Sequence, residues 1–293
     1  MNFSQKIIGF SEEEFNNLFE ICQTSLGRIR KGRQIKTPIK ERFYILLVWL
    51  RKYHTYEELG ISYNLTKRKV FNLINIALED CYEPLIQHFI KWYSKDQLEE
   101  NNIMFSNFPN ALAVVDATVQ PIERPLRNQK DWFSGKHGCH VIKSQTINSP
   151  DGRVMHVYCG KIGKDHDITL WRESNMIEQF QIHPIMGDKG YVGIQHDCRA
   201  ILPIKKTRNR PLSEEQKLYN QKVSKDRIII ENYYGRLKNK FKILSFRYRG
   251  DLGDYSKIFK ICCALTNYDI SLRPLRKPQN EIEIEIEIEP ENN

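Results

Sequence analysis

The sequence predicts an α/β fold preceded by an all-helical region, and three observations support this prediction. Residues 38–79 and about 224–244 carry apolar side chains at helical spacing. Between them, strands followed by a helix after Asp167 are typical of α/β layers. Five short runs rich in apolar and β-branched residues have the length and composition of strands: 113–119, 139–147, 153–159, 184–187 and 200–204.

The composition is that of an ordinary globular protein. The 293 residues suffice for two modest domains, and 40% of them are hydrophobic while 28% are charged. The longest strongly apolar run, 43–50, is far too short for a membrane span, and the first residues lack the layout of a secretory signal. We therefore expect an intracellular protein with no membrane partner.

The cysteines indicate neither disulfides nor zinc. There are seven, an odd number, and no two have Cys-x-x-Cys spacing. The cluster His137-Gly-Cys139-His140 lacks a second pair of ligands, so a zinc site there is not expected.

The charge distribution points to a polyanionic partner. The net charge is +9, but six glutamates and no Lys or Arg follow Pro278, so residues 1–278 carry +15. Nucleic acid is the simplest partner for so basic a body, and a generic solubilising surface is the alternative.

The first 37 residues predict a helical lead that ends in a basic connector. Ser11 precedes three glutamates, and apolar residues follow at helical spacing, as at a capped helix N-terminus.

Residues 38–110 predict a helix-turn-helix DNA-binding region. Thr55 and Glu58 form a capping box at the start of its second helix, and Thr66 precedes the third. A short helix, a turn and a helix with a basic start describe a DNA reader, whereas the alternative is a plain helical subdomain. The basic start consists of Lys67, Arg68 and Lys69.

The remaining boundaries are a catalytic domain at 111–272 and an acidic tail at 273–293. Residues 205–226, which begin with Lys205 and Lys206, predict a basic polar insertion before the 224–244 helix. The tail alternates Glu and Ile from 281 to 289, and we expect it to be disordered because so polar a strand buries little surface. Pairing of this segment with a strand edge is the alternative.

Three carboxylates occupy positions suited to chemistry. Asp116 lies within the apolar run 113–119, where it either ends the strand at a turn or meets a cation, since burying an unpaired charge costs several kcal/mol. Asp188 ends another apolar run, between two glycines. Glu231 lies with Arg227 and Lys238 along one border of an apolar helical stripe. An Arg227–Glu231 surface pair is the simpler interpretation of that helix.

Two strand-end aspartates and a helical glutamate are a plausible ligand set for two divalent cations, Mg²⁺ or Mn²⁺. Hard oxygen ligands suit Mg²⁺, and two such ions support an in-line displacement at phosphorus. Asp167, before an apolar helical run, is instead expected to cap a helix.

These motifs, in this order, resemble the DDE-type transposases of the IS5 and PIF/Harbinger group. The shared patterns span Val114 to Lys238: Val-Asp116-Ala-Thr, Ser-Gly-Lys136 with Val-Ile-Lys143, His-Asp167, Gly-Asp188-Lys-Gly-Tyr, and Arg227-x3-Glu231-x6-Lys238. Two departures are Ala117, where relatives often have Gly, and Ser224, where the signature has Tyr.

The resemblance implies an RNase H-like catalytic domain with Asp116, Asp188 and Glu231 as metal-binding triad. Its relatives cut DNA at transposon ends and join the freed 3′ hydroxyls to target DNA. By position, Arg227 and Lys238 contact DNA phosphates, and the lysines of the shared patterns and of the insertion are further candidates: Lys136, Lys143, Lys205 and Lys206.

The resemblance does not determine the partner proteins or the cellular location. A Myb-like accessory protein and a nuclear location are expected if the host is eukaryotic, and the cytoplasm or nucleoid otherwise. A homo-oligomer is compatible with it. The alternatives for function are a domesticated DNA-binding protein without catalytic activity and a nuclease without strand transfer.

Overall fold

The protein is described by a computed structural model that covers residues 5–28, 36–207 and 211–276. The predicted tail from 281 to 289 and part of the basic connector lie outside these residues. The N-terminal region is all-helical, with α1 Gln5–Ile8, α2 Glu12–Leu26, α3 Ile39–Lys52, α4 Tyr56–Tyr63, α5 Lys67–Phe89 and α6 Lys95–Glu100.

The predicted starts of α2, α4 and α5 are confirmed. Ser11 and Glu14 form a reciprocal capping box at α2, as Thr55 and Glu58 do at α4. The Thr66 side chain accepts a hydrogen bond from the Lys69 N–H at the start of α5.

A mixed sheet follows, as predicted. Its strands are β1 Ala113–Pro121, β2 Phe133–Ser134, β3 Cys139–Asn148, β4 Val154–Ile162, β5 Ile185–Met186 and β6 Ala200–Ile201. The order is β2-β3-β1-β5-β6, and β4 also pairs with β3. β1 is antiparallel to β3 and parallel to β5, and β5 is parallel to β6. The β3–β4 hairpin turns at Asp151-Gly152, where Gly152 has φ +92°, which favours glycine.

The helices of the second half are α7 Gln129–Trp132, α8 Asp167–Glu173, α9 Glu214–Lys240 and α10 Leu252–Leu272. The predicted insertion at 205–226 is wrong from residue 214 onwards, because α9 already begins there. A capping box between Ser213 and Gln216 starts the helix.

β1 is buried on both faces, which explains its nearly continuous apolar sequence. Val114 belongs to a large cluster that also contains buried residues of α2, α3, α5, α9 and α10. Val115 belongs to a second cluster, with Trp171 of α8 and Ile185 of β5. The sheet is thus flanked by helices, and the first cluster joins the N-terminal helices to them. The boundaries at residues 37, 110 and 272 stay a prediction.

In the part of the chain that the structure describes, none of the helices combines the length and the apolar character that crossing a membrane requires.

Candidate metal and nucleic-acid site

Asp116 lies inside β1, not at its end, and a cation meets it there. The Asp116 side chain is 21% exposed, and Arg227 Nη2 on α9 lies 3.8 Å from its Oδ2. The Asp116 Oδ1 accepts a hydrogen bond from the Ala117 N–H at 2.8 Å. The Tyr234 hydroxyl, also on α9, donates to the backbone carbonyl of Asp116 at 2.7 Å. Helix α9 therefore holds this part of β1 from one side.

The charge on Asp116 is only partly compensated. Burial raises the pKa of its carboxyl to about 6, even though Arg227 and the Ala117 N–H act to lower it. The carboxylates of Asp188 and Asp167 add to the increase. A further cation at this point would stabilise the ionised form.

Asp188 lies beside Asp116 because β5 is the parallel neighbour of β1. It lies two residues after the end of β5, and its Oδ1 accepts a hydrogen bond from the Gly190 N–H at 2.7 Å. A Cβ atom added at Gly190 would lie 2.9 Å from this Oδ1 and 2.7 Å from Oδ2 of Asp167. Glycine therefore leaves room for two carboxylate oxygens to approach the same point.

Asp167 is the site residue that the sequence analysis did not place at the site. The predicted capping role is wrong, because His166 is the N-cap and Asp167 is the first residue of α8. Its Oδ1 lies 3.3 Å from Lys143 Nζ. After burial, the charges of Asp116, Asp167 and Asp188 all raise the pKa of Tyr191, so this buried tyrosine is influenced by all three aspartates.

Glu231 lies on the part of α9 that contacts β1. It is exposed, one turn after Arg227 and three residues before Tyr234, and both of those residues contact Asp116. Within the described ranges, however, no three His, Cys, Asp or Glu side chains are close enough to hold a metal ion. The structure brings Asp116, Asp188 and Asp167 close together, and we call these three residues the acidic edge. Glu231 lies nearby on α9.

Several predicted DNA contacts surround this edge. Lys238 Nζ donates to the Val119 carbonyl at 3.0 Å, and burial lowers its pKa. Besides burial, the charges of Lys136, Lys143 and Lys238 lower the pKa of His137, while Asp167 raises it. The charges of these three lysines thus act on His137, and Lys143 also pairs with Asp167 at 3.3 Å.

The other predicted DNA contacts lie elsewhere on the molecule. Lys67, Arg68 and Lys69 form the exposed first turn of α5, where Lys67 Nζ lies 3.5 Å from Glu57 Oε2. Lys205 and Lys206 are exposed and follow β6.

The donor set fits a divalent cation. Asp116 on β1 and Asp188, two residues after the parallel strand β5, offer hard carboxylate oxygens, and burial raises the pKa of Asp116 because its negative charge is only partly compensated. A mixed sheet flanked by helices, with one aspartate on a central strand and a second just after its parallel neighbour, defines the class as an RNase H-like fold.

Comparison with known families makes the assignment specific. The chain belongs to the DDE superfamily endonuclease family, which matches residues 115–267. Members of this family generally depend on divalent metal ions. The chain is also similar to a Microchaete diplosiphon protein named as a probable transposase for insertion sequence element IS702. The two are 29% identical over 278 residues, which cover 92% of this chain and 95% of the relative. A comparison with solved structures gives no significant match.

Proposed function

We propose that the protein is a DDE transposase of the IS5 and PIF/Harbinger group, which cuts DNA at transposon ends and joins the 3′ hydroxyls to target DNA. The main support for this proposal is the environment of Asp116. Its carboxyl is largely buried beside Asp188, its pKa is raised to about 6, and its ion-pair partner among the described residues is Arg227 at 3.8 Å. A metal-binding role explains why so unfavourable a position is occupied by an aspartate.

In this proposal Asp116, Asp188 and Glu231 hold two Mg²⁺ or Mn²⁺ ions. When bound, the ions activate the attacking water or hydroxyl and stabilise the leaving oxygen of an in-line displacement. Tyr234 and the Ala117 N–H fix Asp116, and the Gly190 N–H orients Asp188. Arg227 lies one turn before Glu231 on α9, and its ion pair with Asp116 holds this part of the helix next to β1.

The basic residues around this edge position DNA. Arg227, Lys136, Lys143 and Lys238 are proposed to contact phosphates next to the scissile bond, and Lys205 and Lys206 to contact DNA beyond β6. Phosphate contacts of this kind make affinity fall steeply with salt, so a flat salt dependence would count against nucleic-acid binding.

Helices α4 and α5 are proposed to form a helix-turn-helix reader. They are joined by residues 64–66, and the exposed first turn of α5 carries the basic residues that would enter the major groove: Lys67, Arg68 and Lys69.

The transposase assignment is also supported by the extent of the similarity to the IS702 protein, which covers 95% of that relative. The second candidate, a domesticated DNA-binding protein, would keep the basic surface without a need for the costly Asp116 position. A Myb-like accessory protein, a homo-oligomer, and location in the nucleus of a eukaryotic host or otherwise in the cytoplasm or nucleoid stay predictions.

The test is cleavage of plasmid DNA with Mg²⁺ or Mn²⁺ by the wild type and by Asp188→Asn. We expect metal-dependent cutting that this variant loses. Asp197→Asn is the matched control, since Asp197 is likewise a largely buried aspartate and already has a partner, Arg172, at 3.0 Å. Equal cutting by wild type and Asp188→Asn would overturn the proposed site. Intact DNA binding without cutting, with a cell extract added to supply any accessory protein, would favour the DNA-binding derivative.

A further inference from the structure

Gly235 is an exposed glycine inside helix α9 that the packing of the chain does not require. Its backbone is helical and its φ is not positive, so an alanine could adopt the same conformation. A Cβ atom added at Gly235 would have no heavy atom of the described residues within 4 Å beyond its own stretch of helix. Because glycine favours a helix less than alanine does, helix stability does not explain it either.

The position of Gly235 relates it to Glu231, the proposed metal ligand on the same helix. Gly235 follows Glu231 by four residues, so the two exposed positions lie one turn, or about 6 Å, apart on the same side of α9. Lys238 lies closer to the sheet, since its Nζ donates to the Val119 carbonyl of β1 at 3.0 Å. Gly235 therefore belongs to the solvent-facing side of α9, immediately beside the border that contacts β1.

The exposed face of α9 around Gly235 carries short, uncharged polar side chains. Asn232 and Asn239 are exposed three residues before and four residues after it, and neither amide hydrogen-bonds to a residue within 5–28, 36–207 and 211–276. Ile228 is an exposed apolar side chain on this stretch, and a single isoleucine is too little for the apolar centre of a protein interface. Free amide donors suit phosphate oxygens instead.

The charges at the borders of this face favour a polyanionic strand. Arg227 and Lys238 lie along the border next to β1, and Lys225 is exposed towards the opposite border. A phosphodiester that reaches the acidic edge and Glu231 has neighbouring phosphates on the same strand, and the solvent-facing side of α9 is the surface next to Glu231. A side chain at position 235 would stand between such a strand and the helix.

We propose that Gly235 lets the sugar–phosphate backbone of the cleaved DNA strand lie directly against α9, so that the scissile phosphate reaches the acidic edge and Glu231. Gly235 is thus a positioning residue, and the amides of Asn232 and Asn239 donate to phosphate oxygens on either side of it. This inference rests on the proposed function, because it requires DNA at the site.

The test compares four full-length proteins: the wild type, Gly235→Ala, Gly235→Gln and the control Gln87→Trp. Gln87 is exposed near the C-terminal end of α5 and bonds to Glu83, so the control adds bulk to a helix position outside the proposed site. We expect Mn²⁺-dependent plasmid cleavage to fall about tenfold in Gly235→Ala and about 100-fold in Gly235→Gln, since a displacement of about 1 Å has an effect of this size. The control should cut like the wild type.

Folding and metal binding should not follow this loss of cleavage. Gly235→Ala should unfold at the same urea concentration as the wild type or at a higher one, because alanine favours the helix. Mn²⁺ binding, measured by calorimetry, should be unchanged in both Gly235 variants, since glycine offers no ligand. A loss of stability or of Mn²⁺ binding in step with the loss of cleavage would overturn the inference in favour of a structural role.

Two further outcomes separate this inference from the proposed function. Cleavage at the wild-type rate by both Gly235 variants would overturn the inference and leave the proposed function in place. A change of oligomeric state in these variants, measured by sedimentation, would overturn it too, because the face would then be a contact between copies. A wild type that neither binds nor cuts DNA would contradict the proposed function, and the inference with it.

Discussion

Asp116 and Asp269 are both largely buried aspartates, but they differ in the number of cations that compensate their negative charge. Asp269 on α10 is 3% exposed, and its carboxylate lies 2.7 Å from Arg236, 2.7 Å from Lys240 and 2.6 Å from Arg273. Burial favours the neutral carboxyl, but the hydrogen bonds from these three cations outweigh it and hold the pKa below its ordinary value.

Asp116 has no comparable compensation. Burial raises its pKa to about 6, and Arg227 lies 3.8 Å away, too far for a close hydrogen-bonded pair. Asp269 is thus neutralised by the protein, and through Arg273 it is tied to Glu14 of α2. In the proposed function, the charge of Asp116 is instead compensated by a metal ion bound from solution. The environment of a buried carboxylate, more than its burial, thus separates a proposed metal ligand from a structural charge.

The largest expected effect concerns Glu231, which is the least connected member of the triad. Glu231→Gln should reduce metal-dependent cleavage roughly 10³-fold, because loss of a ligand removes several kcal/mol of charge stabilisation. Initial rates of plasmid nicking measure this. Glu215→Gln, an exposed glutamate in the first turn of the same helix, is the control. A Glu231→Gln protein that cuts as fast as the control would remove Glu231 from the site and leave Asp167 as the third carboxylate.

The second effect concerns the structural aspartate. Asp269→Asn should destabilise the fold by about 3–5 kcal/mol, because it leaves a buried Lys240 and its neighbours without their counter-ion. Urea unfolding followed by circular dichroism measures this. Asp197→Asn removes a carboxylate that is also largely buried but pairs with a single, half-exposed arginine, Arg172, and should cost clearly less. Equal losses in the two variants would contradict the structural role of Asp269.

The two aspartates should also respond to pH in opposite directions. Asp116 has a folded pKa of about 6, above the ordinary 3.8, so its ionisation is unfavourable in the folded state. Metal-free wild type should therefore lose about 2–3 kcal/mol relative to Asp116→Asn as the pH rises from about 4 to about 6. For Asp269, whose pKa is lowered, stability is present above the ordinary pKa and is lost as the pH falls through the folded pKa.

Urea unfolding of the wild type and Asp116→Asn across this pH range, with a chelator present, measures the difference. A difference that does not change with pH would show that the Asp116 charge is already compensated by the protein.

The smallest effect concerns Asp167. Its charge helps to raise the pKa of Asp116, so Asp167→Asn should move the pH dependence of the previous experiment to lower pH. The same unfolding series detects this shift. Asp131→Asn is the control, since Asp131 pairs with Lys164 on the surface. A shift of the same size in both variants would mean that Asp167 has no specific influence on Asp116.

The features that were predicted correctly, such as β1 and the border of α9, have patterns of neighbouring residues in the sequence. The run around Asp116 identified β1, and the apolar stripe of α9 placed Arg227, Glu231 and Lys238 along one border of a core-facing helix. The early start of α9 was missed, although Ser213 and Gln216 have capping-box spacing, because the basic composition of 205–226 favoured a loop.

Long-range proximity accounts for what the sequence did not predict. Asp167 reaches the site because α8 packs beside the turn that carries Gly190, a contact that no local pattern encodes. The ion pairs of Asp269 likewise join α9, α10 and, through Glu14, α2. Both cases depend on how helices pack on the sheet, which periodicity and composition leave undetermined.

Whether Asp116 and Asp188 hold a metal ion is tested most directly by Mn²⁺ binding, measured by isothermal titration calorimetry at pH 7.5 for the wild type, Asp116→Asn, Asp188→Asn and the control Asp197→Asn. We expect saturable binding by the wild type and the control that both site variants lose or weaken at least about tenfold. Unchanged Mn²⁺ binding in Asp116→Asn and Asp188→Asn would contradict it, because the under-compensated charge on Asp116 would then have no role in holding the metal.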